Sequence, residues 1–167
     1  MLFLDIDGVL NSARSCLAFG GYPMELDEIG AFDQIAIRLI QRLCDADDQV
    51  QVVLSSAWRL HCDYNDVGAA LGLPIIDRTP SLLGPRGKEI AAWLDGRDDV
   101  EAYAIVDDDS DMLPEQMPRF VNTDGENGLM YADFIKLCAL LNVAPVAAKP
   151  RAREWRGKSK KLDWSEA

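Results

Sequence analysis

The segment Leu2-Phe3-Leu4-Asp5-Ile6-Asp7-Gly8-Val9-Leu10 sets two aspartates and a glycine directly after a short apolar run. The apolar run predicts a buried β-strand over residues 2–5. Because side chains two residues apart in an extended chain point the same way, Asp5 and Asp7 are expected to face one crevice. Gly8 permits the sharp turn that such a crevice needs. An ordinary surface turn fits the same letters, so the rest of the chain must decide between the two interpretations.

Strand-like and helix-like spacings of apolar residues alternate beyond this segment. Buried strands are predicted at residues 50–54 and 102–106, and shorter strands at residues 74–76 and 119–122. Helices are predicted at residues 31–45, 63–71, 88–94 and 131–141, with a loop-rich stretch over residues 11–30. Strands that alternate with helices predict an α/β fold, in which helices cover both faces of a Rossmann-like parallel sheet.

Length and charge indicate one domain with a separate tail. The 167 residues suit a single domain, expected over residues 1–148, with a short insertion at about residues 12–30. The net charge is −11, yet seven of the 17 basic residues lie between Lys149 and Lys161. Residues 149–167 therefore form a basic, polar tail that is expected to be disordered or loosely attached. Its 149–161 portion is a predicted contact for nucleic acid, whereas the acidic body is expected to repel polyanions.

The sequence predicts a cytoplasmic protein without a membrane segment. No apolar run reaches about eighteen residues, and the first residues lack the pattern of a signal peptide. The four cysteines are scattered and are expected to be free thiols in a reducing compartment: Cys16, Cys44, Cys62 and Cys138. A structural zinc site is not expected, because His61 is the only histidine and the cysteines form no Cys-x-x-Cys pair.

Polar side chains follow the ends of three predicted strands. Asp5 and Asp7 end the first strand, Ser55 follows the second and Asp107 follows the third. Ligands of open parallel sheets bind outside the carboxyl ends of the strands, so these side chains are expected to form a site. A carboxylate can attack phosphorus to give an aspartyl-phosphate. A second carboxyl can protonate the leaving oxygen and later deprotonate water.

The third of these strands is followed by a dense acidic cluster, which consists of Asp107, Asp108, Asp109 and Asp111. Carboxylates this close together are costly unless a cation is present. Mg²⁺ takes oxygen ligands and usually keeps several waters, so one carboxylate from this cluster and one from the first strand end would suffice. The cluster therefore predicts an Mg²⁺ site, with a solvated acidic loop as the alternative.

Two serines and two cations are predicted to bind phosphate. Ser55 and Ser56 follow the strand at residues 50–54, where hydroxyl and backbone N–H groups are suited to hold phosphate oxygens. Arg86 and Lys88 begin a predicted helix, where a cation and the helix N-terminal N–H groups can bind a phosphate together. The alternatives are a simple strand-end turn for the serines and a solvated first helical turn for the cations.

Taken together, these motifs resemble the haloacid dehalogenase (HAD) superfamily of phosphohydrolases. The resemblance covers residues 1–142 and consists, in order, of Asp5-Ile6-Asp7-Gly8-Val9-Leu10, Ser55, Arg86 or Lys88, and Asp107-Asp108. More narrowly, four segments are similar to the small HAD domains named for Swiss-Army-Knife RNA-repair proteins: Asp7-Gly8-Val9-Leu10-Asn11, Ser55-Ser56-Ala57-Trp58-Arg59, Arg86-Gly87-Lys88-Glu89-Ile90-Ala91-Ala92-Trp93-Leu94, and Asn122-Thr123-Asp124 followed by Gly128-Leu129.

The resemblance implies a HAD-like fold with a minimal cap and a role for each motif residue. Asp5 is then the nucleophile and a metal ligand. Asp7 is the general acid and base, and its backbone carbonyl also binds the metal. Asp107 is the second metal carboxylate, and Asp108 positions a metal-bound water or the metal itself, with Asp111 as the competitor for that role.

The remaining motif residues are expected to hold the substrate. Ser55 binds phosphate in the family, and Arg86 is favoured slightly over Lys88 as the accompanying cation. Further substrate contacts are predicted at Asn11, Trp58 and Arg59. An equally weighted alternative places Trp58 in the core and Arg59 in a surface ion pair.

The predicted function is hydrolysis of a phosphomonoester by an Mg²⁺-dependent, HAD-type phosphatase that forms an aspartyl-phosphate. A short cap implies an open site, so the expected substrate is a nucleotide or another phosphorylated small molecule, or a phosphate at a nucleic-acid end. Two alternatives remain open: a catalytically inactive HAD-fold binding module, and a phosphotransferase that uses an acceptor other than water.

Overall fold

A computed structural model describes residues 1–145 of the chain. It contains five strands, β1 to β5: Leu2–Leu4, Val52–Leu54, Ile75–Arg78, Ala104–Asp107 and Phe120–Asn122. Five α-helices, α1 to α5, accompany them: Ala13–Phe19, Gln34–Ala46, Tyr64–Leu71, Arg86–Leu94 and Tyr131–Leu140. Three 3₁₀ turns lie at Leu26–Ala31, Ala57–Leu60 and Pro114–Arg119. The strands form one parallel sheet in the order β3-β2-β1-β4-β5, which confirms the predicted α/β fold.

The apolar strand residues build a core on each face of the sheet. On one face, Leu2 and Leu4 belong to a large buried cluster that includes side chains of α2, α3 and α5. On the other face, Phe3 packs with Ile90 and Trp93 of α4, and the Phe3 and Trp93 rings meet edge to face at 5.2 Å. Because successive strand residues point to opposite faces, the central strand is buried on both sides, as a parallel sheet requires.

The predicted loop over residues 11–30 is wrong in part, because it contains α1 and a 3₁₀ turn. Ser12 caps α1 and exchanges hydrogen bonds with Ser15, and Gly20 ends the helix in the left-handed region at φ 95°. Leu17 and Phe19 are exposed, and the buried positions of this helix are Ser15 and a cysteine. Its apolar side chains therefore do not form the buried stripe by which a helix is recognised in sequence.

Helix boundaries differ from the predicted ones where capping determines them. Helix α2 begins at Gln34 and not at residue 31, because the Asp33 carboxylate accepts hydrogen bonds from the N–H groups of Ile35 and Ala36. Helix α4 begins two residues before the predicted start, at Arg86, directly after Pro85. This shift moves Arg86 into the first helical turn.

Two predictions concern parts of the chain at or beyond the end of the described region. The tail at residues 149–167 lies outside the described residues, as does the predicted domain boundary at residue 148. Within residues 1–145, none of the helices has both the length and the apolar character needed to cross a membrane.

Candidate active site

The carboxyl ends of the three central strands bring the predicted site residues together. Leu4 of β1 lies in register with Leu54 of β2 and with Val106 of β4. The backbone N–H of Asp5 donates to Val106 O at 3.1 Å, and that of Ser55 donates to Leu4 O at 2.9 Å. The polar residues that follow these strands therefore line one edge of the sheet.

Three carboxylates meet at this edge and have the donor set that a divalent cation requires. Asp5, Asp107 and Asp108 each offer one oxygen, and these oxygens lie within 4.8 Å of one another. Asp5 is 5% exposed and Asp107 is 1% exposed. The Oδ2 atom of Asp107 is buried and has no hydrogen-bond partner within residues 1–145. Hard oxygen donors in this arrangement, with one of them unpaired, suit Mg²⁺.

Electrostatics at the cluster also favour a cation. Burial, and then the charge of Asp5, raises the pKa of Asp107 to about 8. Burial likewise raises the pKa of Asp5 to about 6, although the nearby Arg86 opposes the shift. Burial raises the pKa of Asp108 as well. A bound cation would stabilise the charged forms of these carboxyls and offset the cost of burying them.

Arg86 reaches the carboxylates, whereas Lys88 does not. The guanidinium of Arg86 lies 3.8 Å from Asp5 Oδ1 and 3.8 Å from Asp107 Oδ2. These distances are too long for hydrogen bonds, and the Nη1 atom of Arg86 is buried without a hydrogen-bond partner in the part of the chain that the structure describes. Lys88 is exposed and forms no salt bridge within the described residues. The geometry therefore places Arg86 at the site as its cation.

The two serines after β2 have different surroundings. Ser55 is 1% exposed, and its Oγ atom has no hydrogen-bond partner among the described residues. Ser56 is fully buried, and its Oγ accepts a hydrogen bond from the backbone N–H of Trp58 at 3.4 Å. Ser56 therefore caps the 3₁₀ turn that follows, while the Ser55 hydroxyl is free to bind a ligand.

Asp7 is held by two side chains that were predicted to contact substrate. The Trp58 indole N–H lies 3.3 and 3.2 Å from the two Asp7 carboxylate oxygens. The Asn11 amide donates to Asp7 Oδ1 at 2.8 Å. Trp58 is 3% exposed and packs edge to face on Phe32, and Asn11 is fully buried. Trp58 therefore packs in the core, as the alternative states, and both side chains position Asp7, while their role as substrate contacts stays a prediction.

Arg59 is also buried, which corrects the surface ion pair that was the alternative for it. It is 6% exposed and forms a salt bridge with Glu89 of α4, so its ion pair is a buried one, and its role as a substrate contact stays a prediction. Its Nη1 group donates to Ser56 O at 2.7 Å. The pair ties the turn after β2 to the helix that carries Arg86. Sequence inspection missed Glu89, because its spacing within α4 is that of an ordinary helix residue.

Two glycines make room for the carboxylate of Asp108. Gly8 has φ 72°, and a Cβ atom there would lie 2.1 Å from Asp108 Cγ. A Cβ atom at Gly125 would lie 2.7 Å from Asp108 Oδ2. The Thr123 hydroxyl donates to Gly8 O at 3.0 Å and joins the loop after β5 to the first strand end. Sequence reasoning gave Gly125 and Thr123 no role, although the segment that follows Asn122 carries part of the family resemblance.

Asp111 lies at the start of α4, away from the metal-positioning role for which it competed with Asp108. Its Oδ2 accepts the backbone N–H of Arg86 at 2.8 Å, which satisfies a free donor at the start of α4. The three carboxylates that meet at the site are those of Asp5, Asp107 and Asp108, and Asp111 is not among them. Asp111 therefore supports the helix end that carries Arg86, and Asp108 lies where the second acidic residue of the motif is expected.

A parallel α/β sheet whose central strands end in these aspartates defines a protein of the HAD class. Residues 1–134 match the family described as the HAD domain in Swiss Army Knife RNA repair proteins, and the chain belongs to that family. Neither a search of curated proteins nor a search of solved structures finds a match. Family membership supports phosphohydrolase chemistry, and it confirms the suspected HAD resemblance.

Proposed function

We propose that the protein is an Mg²⁺-dependent phosphomonoester hydrolase that forms an aspartyl-phosphate on Asp5. The observation that carries this proposal is the meeting of buried Asp5 and Asp107 with two unpaired donors, the Ser55 hydroxyl and Arg86 Nη1. A phosphoryl group placed between them would give each donor an oxygen to bind. The same group would give Asp5 a phosphorus atom to attack.

The residues divide the reaction between two carboxyl groups. An Asp5 oxygen forms a bond to phosphorus while the bond from phosphorus to the leaving oxygen breaks, and Asp7 gives that oxygen a proton. Asp7 then takes a proton from water as the water oxygen attacks phosphorus; the bond between phosphorus and the Asp5 oxygen breaks, which releases inorganic phosphate and restores the Asp5 carboxylate. Asp5, Asp107 and Asp108 would hold Mg²⁺, and the cation would neutralise charge on the carboxylates and the phosphoryl oxygens.

Trp58 and Asn11 serve this scheme by fixing the acid and base. Their N–H groups hold the Asp7 carboxylate from one side, at distances between 2.8 and 3.3 Å. Asp7 must donate a proton to the leaving oxygen and later accept one from water, so its carboxylate has to be held in place. A small displacement of a catalytic group reduces the reaction rate by a large factor. The scheme assigns Arg86 and Ser55 to the phosphoryl oxygens.

The proposed substrate is a phosphate on a nucleotide or at a nucleic-acid end, with other phosphorylated small molecules as the broader class. Three things support it: the RNA-repair name of the family, the short insertion at residues 12–30, and the basic segment at residues 149–161 as a contact for nucleic acid. The four free cysteines suit the cytoplasm, which is the proposed location.

The test is hydrolysis of a generic aryl phosphate with Mg²⁺ by the wild type and by Asp5→Asn. The variant is expected to lose at least about 10³-fold in kcat, because an amide oxygen is a poor nucleophile. Asp109→Asn is the matched control, since Asp109 is exposed and is not one of the three carboxylates that meet at the site. Full activity in Asp5→Asn would refute the nucleophile. Absence of both activity and Mg²⁺ binding in the wild type would favour a binding module, and transfer to an added alcohol would favour a phosphotransferase.

A further inference from the structure

A second crevice lies beside the candidate active site, at the carboxyl ends of β2 and β3. Its volume is about 290 Å³, and it is lined by Arg59, Leu60, Arg78, Thr79, Pro80 and Ser81. The backbone N–H of Thr79 donates to Leu54 O at 3.0 Å, so the crevice begins one strand outward from Ser55. None of the residues assigned to phosphoryl transfer lines it.

Two of the residues that line this crevice each carry a buried donor that has no hydrogen-bond partner among the described residues. Thr79 is 2% exposed, and its hydroxyl is unpaired. Arg59 is 6% exposed, and its Nε–H is unpaired although the rest of its guanidinium is engaged. A buried polar group without a partner costs about 1–3 kcal/mol, so two in one small crevice indicate a ligand that accepts hydrogen bonds.

The charge of the crevice comes from Arg78. Glu89 neutralises the buried Arg59, whereas Arg78 is exposed and forms no salt bridge within residues 1–145. One Arg78 N–H donates to Arg59 O at 2.7 Å, which leaves its other N–H groups for a ligand. Asp63 is a carboxylate that attracts Arg78 and so competes with a ligand for it. Its Oδ1 already accepts two hydrogen bonds from a neighbouring asparagine. Arginine with additional N–H and O–H donors is the usual surrounding of a bound phosphate.

The crevice lies where the leaving group of a phosphomonoester substrate is expected. Leu4 is in register with Leu54, and Leu54 with Arg78, so Asp5, Ser55 and Thr79 are the residues that follow three aligned strand ends. Neighbouring strands lie about 4.8 Å apart, which puts Thr79 about 10 Å from the nucleophile. A group bound there is too far away to be the phosphoryl group under attack, but it is near enough to belong to the same substrate.

We propose that this crevice binds a second phosphate, carried by the leaving group of the substrate, through Arg78, Thr79 and the Nε–H of Arg59. The inference rests on the proposed function, because it names the substrate class of that same site. Two sources share this chemistry: a free nucleoside bisphosphate, and an oligonucleotide end in which the next backbone phosphate is the second group.

The experiment compares adenosine with one phosphate, at the 3′ or the 5′ position, with adenosine 3′,5′-bisphosphate and with short oligonucleotides that carry a terminal phosphate. Wild-type protein is expected to show a higher kcat/KM whenever a second phosphate is present. Arg78→Ala is expected to reduce that preference about tenfold, the value of one charge-assisted hydrogen bond. Thr79→Val removes the hydroxyl at nearly constant shape and should reduce the preference with no loss in Tm. Arg38→Ala, which changes an exposed arginine on α2, is the matched control.

Each outcome decides a separate point. A preference for the bisphosphate and the oligonucleotides that falls in Arg78→Ala supports the crevice, and a preference confined to one of them identifies the source. No preference, or one that Arg78→Ala retains, overturns the inference while hydrolysis stands. If no substrate is hydrolysed, the proposed function fails. The crevice is then tested by calorimetry, which measures whether Asp5→Asn binds the bisphosphate more tightly than the monophosphates.

Discussion

Asp107→Asn is expected to stabilise the protein in the absence of metal, and the effect should grow with pH. The pKa of Asp107 is raised from 3.8 to about 8, mainly by burial. Between these values the folded protein keeps a proton that the unfolded chain has released, so stability falls as pH rises through this range. At pH 7 the raised pKa of Asp107 lowers the free energy of unfolding by about 4 kcal/mol. Asp107→Asn removes this loss and should raise Tm by about 10 °C.

The assay is thermal unfolding in a chelator at several values of pH, with Asp109→Asn as the exposed neighbouring control. The gain of Asp107→Asn over the wild type should vanish near pH 4 and increase up to pH 8. Its amide oxygen can still accept the Asp109 N–H, which meets Asp107 Oδ1 at 2.9 Å. Added Mg²⁺ at about 100 times its Kd should stabilise the wild type by about 2.7 kcal/mol and the variant much less. A variant that is less stable than the wild type at pH 7 without metal would refute the reasoning.

Two further predictions concern the buried side chains around the cluster. Trp58→Phe removes the indole N–H that contacts Asp7, so kcat for an aryl phosphate should fall about tenfold with little change in KM. Steady-state kinetics test this prediction. An unchanged kcat in a folded variant would contradict it. Glu89→Gln leaves a buried guanidinium without its counter-charge, so urea unfolding should show a loss of about 3–5 kcal/mol. Lys136→Ala removes the exposed cation from its pair with the largely buried Asp133 and should cost less than about 1 kcal/mol; an equal loss in the two variants would count against the argument.

The parts of the fold that were predictable are those set by local sequence. The apolar runs before Asp5, Ser55 and Asp107 are short, buried on both faces and followed at once by polar residues, so both the strands and the edge where they end could be read directly. Parallel order then brought the three polar ends together. Helix α1 was not predicted, because Leu17 and Phe19 are exposed and the helix lacks the buried apolar stripe that indicates a helix in sequence.

The parts of the site that were not predictable depend on long-range pairing. Trp58 is 51 residues from Asp7, and its indole has the composition expected of either a stacking surface or a core residue. Only the fold shows that its N–H points at the Asp7 carboxylate. Arg59 and Glu89 are 30 residues apart, and each alone is typical of a surface. Their burial follows from the packing of α4 against the turn after β2, which spacing within either segment does not encode.

The distribution of unpaired polar atoms is the strongest physical sign that this edge of the sheet binds a ligand. Five buried side-chain atoms lack a hydrogen-bond partner within the described residues: Ser55 Oγ, Arg59 Nε, Thr79 Oγ1, Arg86 Nη1 and Asp107 Oδ2. All five belong to the residues around the carboxyl ends of β1 to β4. At about 1–3 kcal/mol each, they cost an amount comparable to the stability of a whole domain. Within residues 1–145, such a concentration of unpaired polar atoms at one edge is what a ligand-binding site requires. The donors among them suit phosphate oxygens, and the single acceptor suits a cation.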